Sequence, residues 1–371
     1  MITTISIDNF KSIKSLQISP TSINLFMGLN GMGKSTVIQS LLLLRQSMRS
    51  GLKRLSLNGN LVEIGRGKDA LYNFADTEQI HYKLDFISNE SETNSLLNAF
   101  YAYSAKSDVL TLIDGISSID SRVFCEPLFS SDFAFLNAER VSPATMYDMS
   151  YDEVTNHHKI GTHGELAAHF LSMYGDQLIV PSPLCLDTAH SNKLSDQVQE
   201  WLRVISPGIN IATEELSQID KVIISYGYNT ETISTSRFRP TNVGFGISYV
   251  LPILIACLSG LHRLIIIENP EAHLHPKGQA KMGELIARCA VSGVQLFVET
   301  HSDHIVNGLR VAVKEKIITP KQVEINYFSR EVKEGENFTT NELIKIGVNG
   351  ELSNYPPDFI DEWENQLMKL I

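Results

Sequence analysis

The sequence predicts an α/β fold with a mixed sheet, an antiparallel β subdomain and an inserted helical region. Three observations predict it. GLNGMGKS (residues 28–35) follows the apolar stretch SINLFMG and opens a helix-forming stretch, the context of a phosphate-binding loop. From residue 240 onward, strands and helices alternate, which implies parallel strands packed between helices. IHYKLDFI (residues 80–87) alternates apolar and polar residues, as a half-exposed antiparallel strand does.

In chain order, ISIDNF and SINLFMG read as strands, and STVIQSLLLLRQSM as the helix after the loop. FAFLNAER reads as a strand entering a turn. GELAAHFLSMYG and SDQVQEWLRVIS read as amphipathic helices, the second with Ser195 as its N-cap. KVIISYGY is a short strand. A Gly-rich turn then precedes the apolar helix within residues 247–261. The strand LIIIE follows, then a helix with Pro276 in its first turn, the strand VQLFVET and the helix SDHIVNGLRVAVKEK. The final stretch, from IKIGVNGEL onward, reads as strand, Gly-containing turn and short helix. The expected division is a discontinuous core of residues 1–90 and 240–330, an inserted α/β region at 91–239, and a strand-turn-helix extension at 331–371. Internal repeats and sustained heptads are absent from the sequence.

The 371 residues are 43% hydrophobic and 20% charged, an ordinary globular balance. The net charge of -11 excludes a surface that is basic all over. It still allows a local cluster: Arg45, Arg49, Lys53 and Arg54 lie at the end of the loop helix and just after it. Cys125, Cys185, Cys257 and Cys289 are scattered, without the paired spacing of zinc or redox sites, and read as reduced thiols of a cytoplasmic protein. The most apolar run contains Pro252 and is too short to span a bilayer, so no membrane role is expected.

The chemistry of the loop follows from its residues. Gly28, Asn30, Gly31 and Gly33 let backbone N–H groups wrap a phosphate at the positive end of the helix that Ser35 and Thr36 enter. Lys34 reaches the β- and γ-phosphates of a nucleotide, and the Ser35 hydroxyl ligates Mg²⁺; the loop alone does not choose between kinases, GTPases and ATPases. Farther on, LIIIENPEAHLHP (residues 264–276) runs a buried strand into Glu268, a hard oxygen ligand of the kind Mg²⁺ prefers. His273, His275, His301, Asp303 and His304 admit a second reading as a transition-metal cluster.

NVGFGISYVLP (residues 242–252), LIIIE and VETHSDH (residues 298–304) follow the phosphate loop in one order. In that order they resemble the signature helix, acid strand and switch of ABC-type ATPases. With the opening IDNFKSIKSLQIS, the chain resembles the RecF/SMC/OLD branch. ENPEAHLHP, ETHSDHIVNGLR and NAERVSP (residues 137–143) are similar to compact bacterial ATPases found beside nucleases or other effectors in phage-defence loci. The resemblance covers the first 65 residues, residues 137–143, and residue 240 to the end. It implies an ABC-type fold, ATP and Mg²⁺ as cofactors, and a homodimer closed through the nucleotide sites. It also implies Gly246 and Ser248 facing the partner's γ-phosphate, Glu268 and Ser35 holding the metal, and His301 at the γ-phosphate.

Two departures stand out. OLD nucleases carry a nuclease domain after the switch, whereas the stretch after His304 is too short for one and holds no DxD cluster. Many relatives place a catalytic Glu directly after the strand-end acid. Here that residue is Asn269, whose amide cannot take a proton from water as a carboxylate can. Glu271 is the nearest replacement, and on an extended segment it would point the same way as Asn269. The expected protein is therefore an ATPase that clamps around Mg-ATP and serves a separate effector protein. DNA is expected as a partner only with ATP or a companion subunit. The alternative is an ATP-sensing module with negligible hydrolysis.

Overall fold

The computed structural model describes residues 1–87, 94–228, 235–360 and 362–370, arranged in two compact units. The first comprises Met1–Ser130, Lys321–Ile346 and Leu352–Ile371; the second comprises Ser131–Pro320 and Gly347–Glu351. The division expected from sequence is different. The boundary expected at 90/91 lies outside the described residues. Asn94–Ala102 pairs along its whole length with Gln79–Ile87, which keeps the stretch up to Ser130 with the N-terminal strands rather than with an insertion.

The first unit holds an antiparallel sheet in the order Ile13–Ile18, Ile2–Phe10, Gln79–Ile87, Asn94–Ala102, Val109–Leu112 and Arg54–Ser56, with Ser118–Ile119 also on Asn94–Ala102. Strict burial alternation in Gln79–Ile87 puts Ile80, Tyr82, Leu84 and Phe86 in the core, as its sequence pattern predicts. The same unit holds the phosphate-loop strand Ile23–Met27, buried throughout, beside Val323–Lys333 in parallel register. Val323–Lys333 turns back antiparallel along Glu336–Lys345, so the segment expected to begin a separate extension at 331 is the middle of a hairpin. The expected C-terminal helix spans Glu362–Leu370.

In the second unit, Leu264–Glu268 lies between the parallel strands Phe133–Leu136 and Gln295–Glu299. Its four apolar residues are fully buried, which a strand covered on both faces requires. The helices Pro276–Val291 and Asp303–Lys314 pack on each other at Gly283 and Gly308; a Cβ on Gly308 would lie 2.2 Å from the Ala280 carbonyl. A second, antiparallel sheet joins Tyr147–Asp148, Lys221–Tyr228 and Ile209–Leu216. Ser195 is not the cap of its helix. The helix starts at Leu194, a buried residue whose N–H bonds the Leu178 carbonyl, and Ser195 Oγ instead donates to Asp176 Oδ1 at 3.1 Å. Among the described residues, no helix is long and apolar enough to cross a membrane.

Candidate nucleotide site

The phosphate loop connects Ile23–Met27 to the helix Lys34–Ser47. Three of its glycines take positive φ: Gly28 at 136°, Gly31 at 78° and Gly33 at 102°. Two are fixed by close approach as well. A Cβ on Gly28 would lie 2.2 Å from the Phe328 carbonyl oxygen, and one on Gly33 would lie 2.4 Å from Thr339 Oγ1. Gly31 faces open space, and Asn30 and Gly31 are exposed. The helix carries no acidic residue in its first turn, so its positive end is left for an anion.

Lys34 Nζ donates to the carbonyls of Gly28 at 2.9 Å and Leu29 at 2.8 Å. The ammonium thus lies folded into the loop, where a phosphate oxygen could replace a carbonyl partner. Ser35 is half-buried at the helix start, and Thr36 is buried with its N–H on the Gly33 carbonyl at 3.1 Å. A loop with open backbone at Gly31, an unopposed helix end and an inward lysine fits a nucleotide phosphate. One further cation was not visible in the motif: Arg330, on Val323–Lys333, donates through Nη2 to the Gly31 carbonyl at 3.1 Å.

The second unit holds the stretches read from sequence as acid turn and switch. Glu268 Oε2 accepts the Ala138 N–H at 3.1 Å. Burial pushes the Glu268 carboxyl up to about 7; the nearby Glu299 adds to this, while the Ala138 N–H and Arg140 oppose it. Glu299 stands directly across in register on the neighbouring strand. A half-buried, oxygen-only donor that is costly to ionise alone fits a hard divalent cation, whose charge would hold it ionised.

Asn269 adopts a left-handed φ of 44°, and its N–H bonds the Glu299 carbonyl at 2.8 Å. The backbone therefore turns, and the extended geometry expected to align Glu271 with Asn269 is absent. Asn269 Oδ1 is buried without a hydrogen-bond partner among the described residues. Glu271 is aimed at the switch: it accepts Thr300 Oγ1 at 2.7 Å and the His301 N–H at 2.8 Å. The His301 residue is exposed. Ser302 caps the switch helix by accepting the Ile305 N–H at 3.1 Å, and its hydroxyl donates to Gln279 Oε1 at 2.6 Å.

The helix Phe245–Leu258, expected from sequence to be the signature helix, packs its first turn on the same acid turn. A Cβ on Gly246 would lie 2.5 Å from the His273 carbonyl oxygen, and the Tyr249 ring meets His273 edge-on at 4.7 Å. Phe245 is 52% exposed at the tip. Ser248 lies on the other side: its residue is buried and its Oγ is shielded from solvent. His275 is a helix cap, its Nδ1 accepting the Lys277 N–H at 3.3 Å, and His273 belongs to an aromatic cluster with Phe245 and Tyr249. Among the described residues, no group of three or more His, Cys, Asp or Glu side chains could hold a metal ion.

The family described as "AAA domain, putative AbiEii toxin, Type IV TA system" matches residues 23–307, from the phosphate-loop strand through the switch. The chain belongs to this AAA domain family. A second family, described as "Protein of unknown function (DUF3696)", matches residues 318–370, which include the hairpin that carries Phe328, Arg330 and Thr339. No curated protein sequence matches the chain. Among solved structures, the chain is similar to an SMC head bound to the C-winged helix domain of ScpA. The TM-score is 0.58 at 12% identity, covering 92% of this chain and 98% of that one. It is also similar to an SMC head domain with an extended coiled coil, bound to the C-terminal domain of ScpA derived from Pyrococcus furiosus. There the TM-score is 0.52 at 10% identity, covering 100% and 99% of the two chains. At such identities the likeness is one of fold: this AAA domain protein has the ABC-type ATPase fold of the RecF/SMC branch.

Proposed function

We propose that this AAA domain protein binds Mg-ATP and hydrolyses it slowly, using the nucleotide to close two copies into a clamp that controls a separate effector. Lys34 and the N–H groups of residues 28–36 hold the phosphates, Ser35 and Glu268 hold Mg²⁺, and Gly246 caps the partner's nucleotide; Ser248, expected beside it from sequence, is buried with its Oγ shielded from solvent and is left out of that role. Glu271 serves as the proton acceptor for water, Asn269 shapes the turn that carries it, and His301 senses the γ-phosphate. The bound metal supplies charge neutralisation at the phosphates; the protein side chains position, exclude water and carry the proton. One observation carries this reading: the Glu271 carboxylate is bonded to Thr300 and to the His301 backbone, which ties the acid turn to the switch. The SMC heads similar in fold are described as bound to ScpA domains, which supports a partner protein for this chain as well. The family's description as a toxin of a Type IV TA system supports a role in defence against phage, with a nucleic-acid-processing effector as the target. Steady-state phosphate release, with and without DNA and compared with Lys34→Ala, tests the reading.

Asn269 favours a second reading, ATP sensing without turnover. Its amide occupies the position of the usual catalytic carboxylate, and its Oδ1 is buried. Tight ATP binding with phosphate release no faster than that of Lys34→Ala would select it.

A further inference from the structure

Arg140 belongs to the NAERVSP stretch, for which neither the phosphate loop nor the switch provides a role. It is among the most buried charged residues in the chain, 2% exposed. Its guanidinium forks across the acid turn, donating through Nη2 to the Glu268 carbonyl at 2.5 Å and through Nη1 to the Asn269 carbonyl at 3.2 Å. Those two carbonyls flank the point where the strand ends and φ turns positive at Asn269. Asn tolerates the left-handed region better than other non-glycine residues, yet it is a minority conformation there too, and bonds from outside the turn select it. A planar fork bonded to successive carbonyls supplies such bonds.

The guanidinium also reaches the signature helix, with its Cζ 6.0 Å from the centre of the Tyr249 ring. Tyr249 in turn meets His273 edge-on at 4.7 Å, and His273 has a left-handed φ of 62°. The turn is thus gripped at one end by Arg140 and at the other by Gly246 and Tyr249. Between the two grips lies Glu271, bonded to the switch. Burial pushes the guanidinium down to about 10, with Glu271, Tyr249 and Glu268 pulling it back up, so it stays charged at neutral pH.

We propose that Arg140 is a positioning residue: it imposes the turn at Asn269 that delivers Glu271 to the switch, and through Tyr249 it ties that turn to the first turn of the signature helix. A partner docking on the exposed tip at Phe245 would then be felt at Glu271 through side chains already in contact. The functional consequence rests on the proposed ATPase reading; the structural part does not.

The test is hydrogen exchange of the full chain, read at the amides of residues 268–275, together with binding of a fluorescent ATP analogue and phosphate release. In Arg140→Gln these amides should exchange roughly tenfold faster or more. Phosphate release should fall roughly 10- to 100-fold, as for residues that orient metal ligands, while analogue affinity stays within about twofold. Arg140→Lys should recover part of the loss, because an ammonium can serve one carbonyl but lacks the fork. Should Arg140→Gln fail to fold, Tyr249→Leu removes only the ring between guanidinium and His273 and should speed the same amides. Wild-type exchange at 268–275 in a folded Arg140→Gln protein, or in Tyr249→Leu if the first does not fold, would overturn the proposal. A wild-type chain that releases no phosphate would instead overturn the hydrolysis reading and leave the exchange result to decide the role of Arg140.

Discussion

The carboxylate of Glu271 accepts the backbone N–H of His301 at 2.8 Å, joining residues thirty positions apart in the chain. A second bond, from Thr300 Oγ1 at 2.7 Å, occupies the other carboxylate oxygen. Each carboxylate oxygen keeps a second lone pair, so Glu271 can serve as the proposed proton acceptor while it stays bonded to Thr300 and His301. Glu271→Gln should therefore lower phosphate release by roughly 100-fold or more, the scale of a lost general base, with ATP-analogue affinity retained. Single-turnover phosphate release measures this. A variant as fast as wild type would remove Glu271 from the chemistry.

The same variant should expose the clamp. With cleavage blocked, Mg-ATP should shift the mass measured by light scattering from one copy to two if each signature tip caps the partner's nucleotide, as proposed. An unchanged mass with nucleotide shown to be bound would rule out closure through the nucleotide sites.

Lys34→Ala removes the ammonium held by the carbonyls of Gly28 and Leu29. ATP binding should weaken by at least about 100-fold, consistent with the roughly 3 kcal/mol at the upper end for hydrogen bonds to a charged group. Calorimetric titration with Mg-ATP measures it, and unchanged affinity would invalidate the phosphate-loop assignment.

The basic cluster after the loop helix is smaller in the fold than in the sequence. Arg45 turns inward and donates to the Leu128 carbonyl at 3.0 Å, leaving Arg49, Lys53 and Arg54 exposed. With a net charge of -11, DNA binding by the free protein should be weak. Salt-sensitive binding should appear only with ATP or a companion subunit, and charge reversal at Arg49, Lys53 and Arg54 should abolish it while ATP binding persists. Fluorescence anisotropy with labelled duplex tests this. Tight DNA binding without nucleotide, indifferent to the three reversals, would place the surface elsewhere.

His81 offers a pH test of the antiparallel sheet that does not involve the nucleotide site. Its Nδ1 lies 2.7 Å from Asp8 and its Nε2 lies 2.7 Å from Asn98, with the ring stacked on Phe100. Burial pulls the imidazole down, but the Asp8 and Asn98 bonds outweigh it and raise it above 6.5. The hydrogen bond from His81 is the largest effect on Asp8 and lowers it below 3.8. The His81 contribution is complete below 6.5 and is lost as pH rises through its raised folded value. The Asp8 contribution is complete above 3.8 and is lost as pH falls through its lowered one. Asp8 is more than a third exposed, so the pair is worth at most about 1 kcal/mol after screening. Urea midpoints of wild type and His81→Gln should differ most between those limits and converge on either side of them; a difference independent of pH would contradict the ion pair.

Features that depend on contiguous residues were readable in the sequence by itself. The phosphate loop, the acid strand, the alternation of Gln79–Ile87 and the β-α rhythm after residue 240 each follow from neighbours a few positions apart, because backbone periodicity and glycine freedom act locally. The tertiary structure alone decided which side chains grip the motifs. Arg140 reaches Glu268 across 128 positions, and Arg330 reaches Gly31 across 299. Asn269 bends where an extended segment was expected, because a buried guanidinium holds two successive carbonyls there. Ser248 is turned inward while Phe245 stands out, since the short GFG approach to the helix leaves its rotation to packing against His273. Such contacts form only when distant segments close on one another. An isolated arginine in a mid-chain stretch carries no periodicity by which its partner could be read.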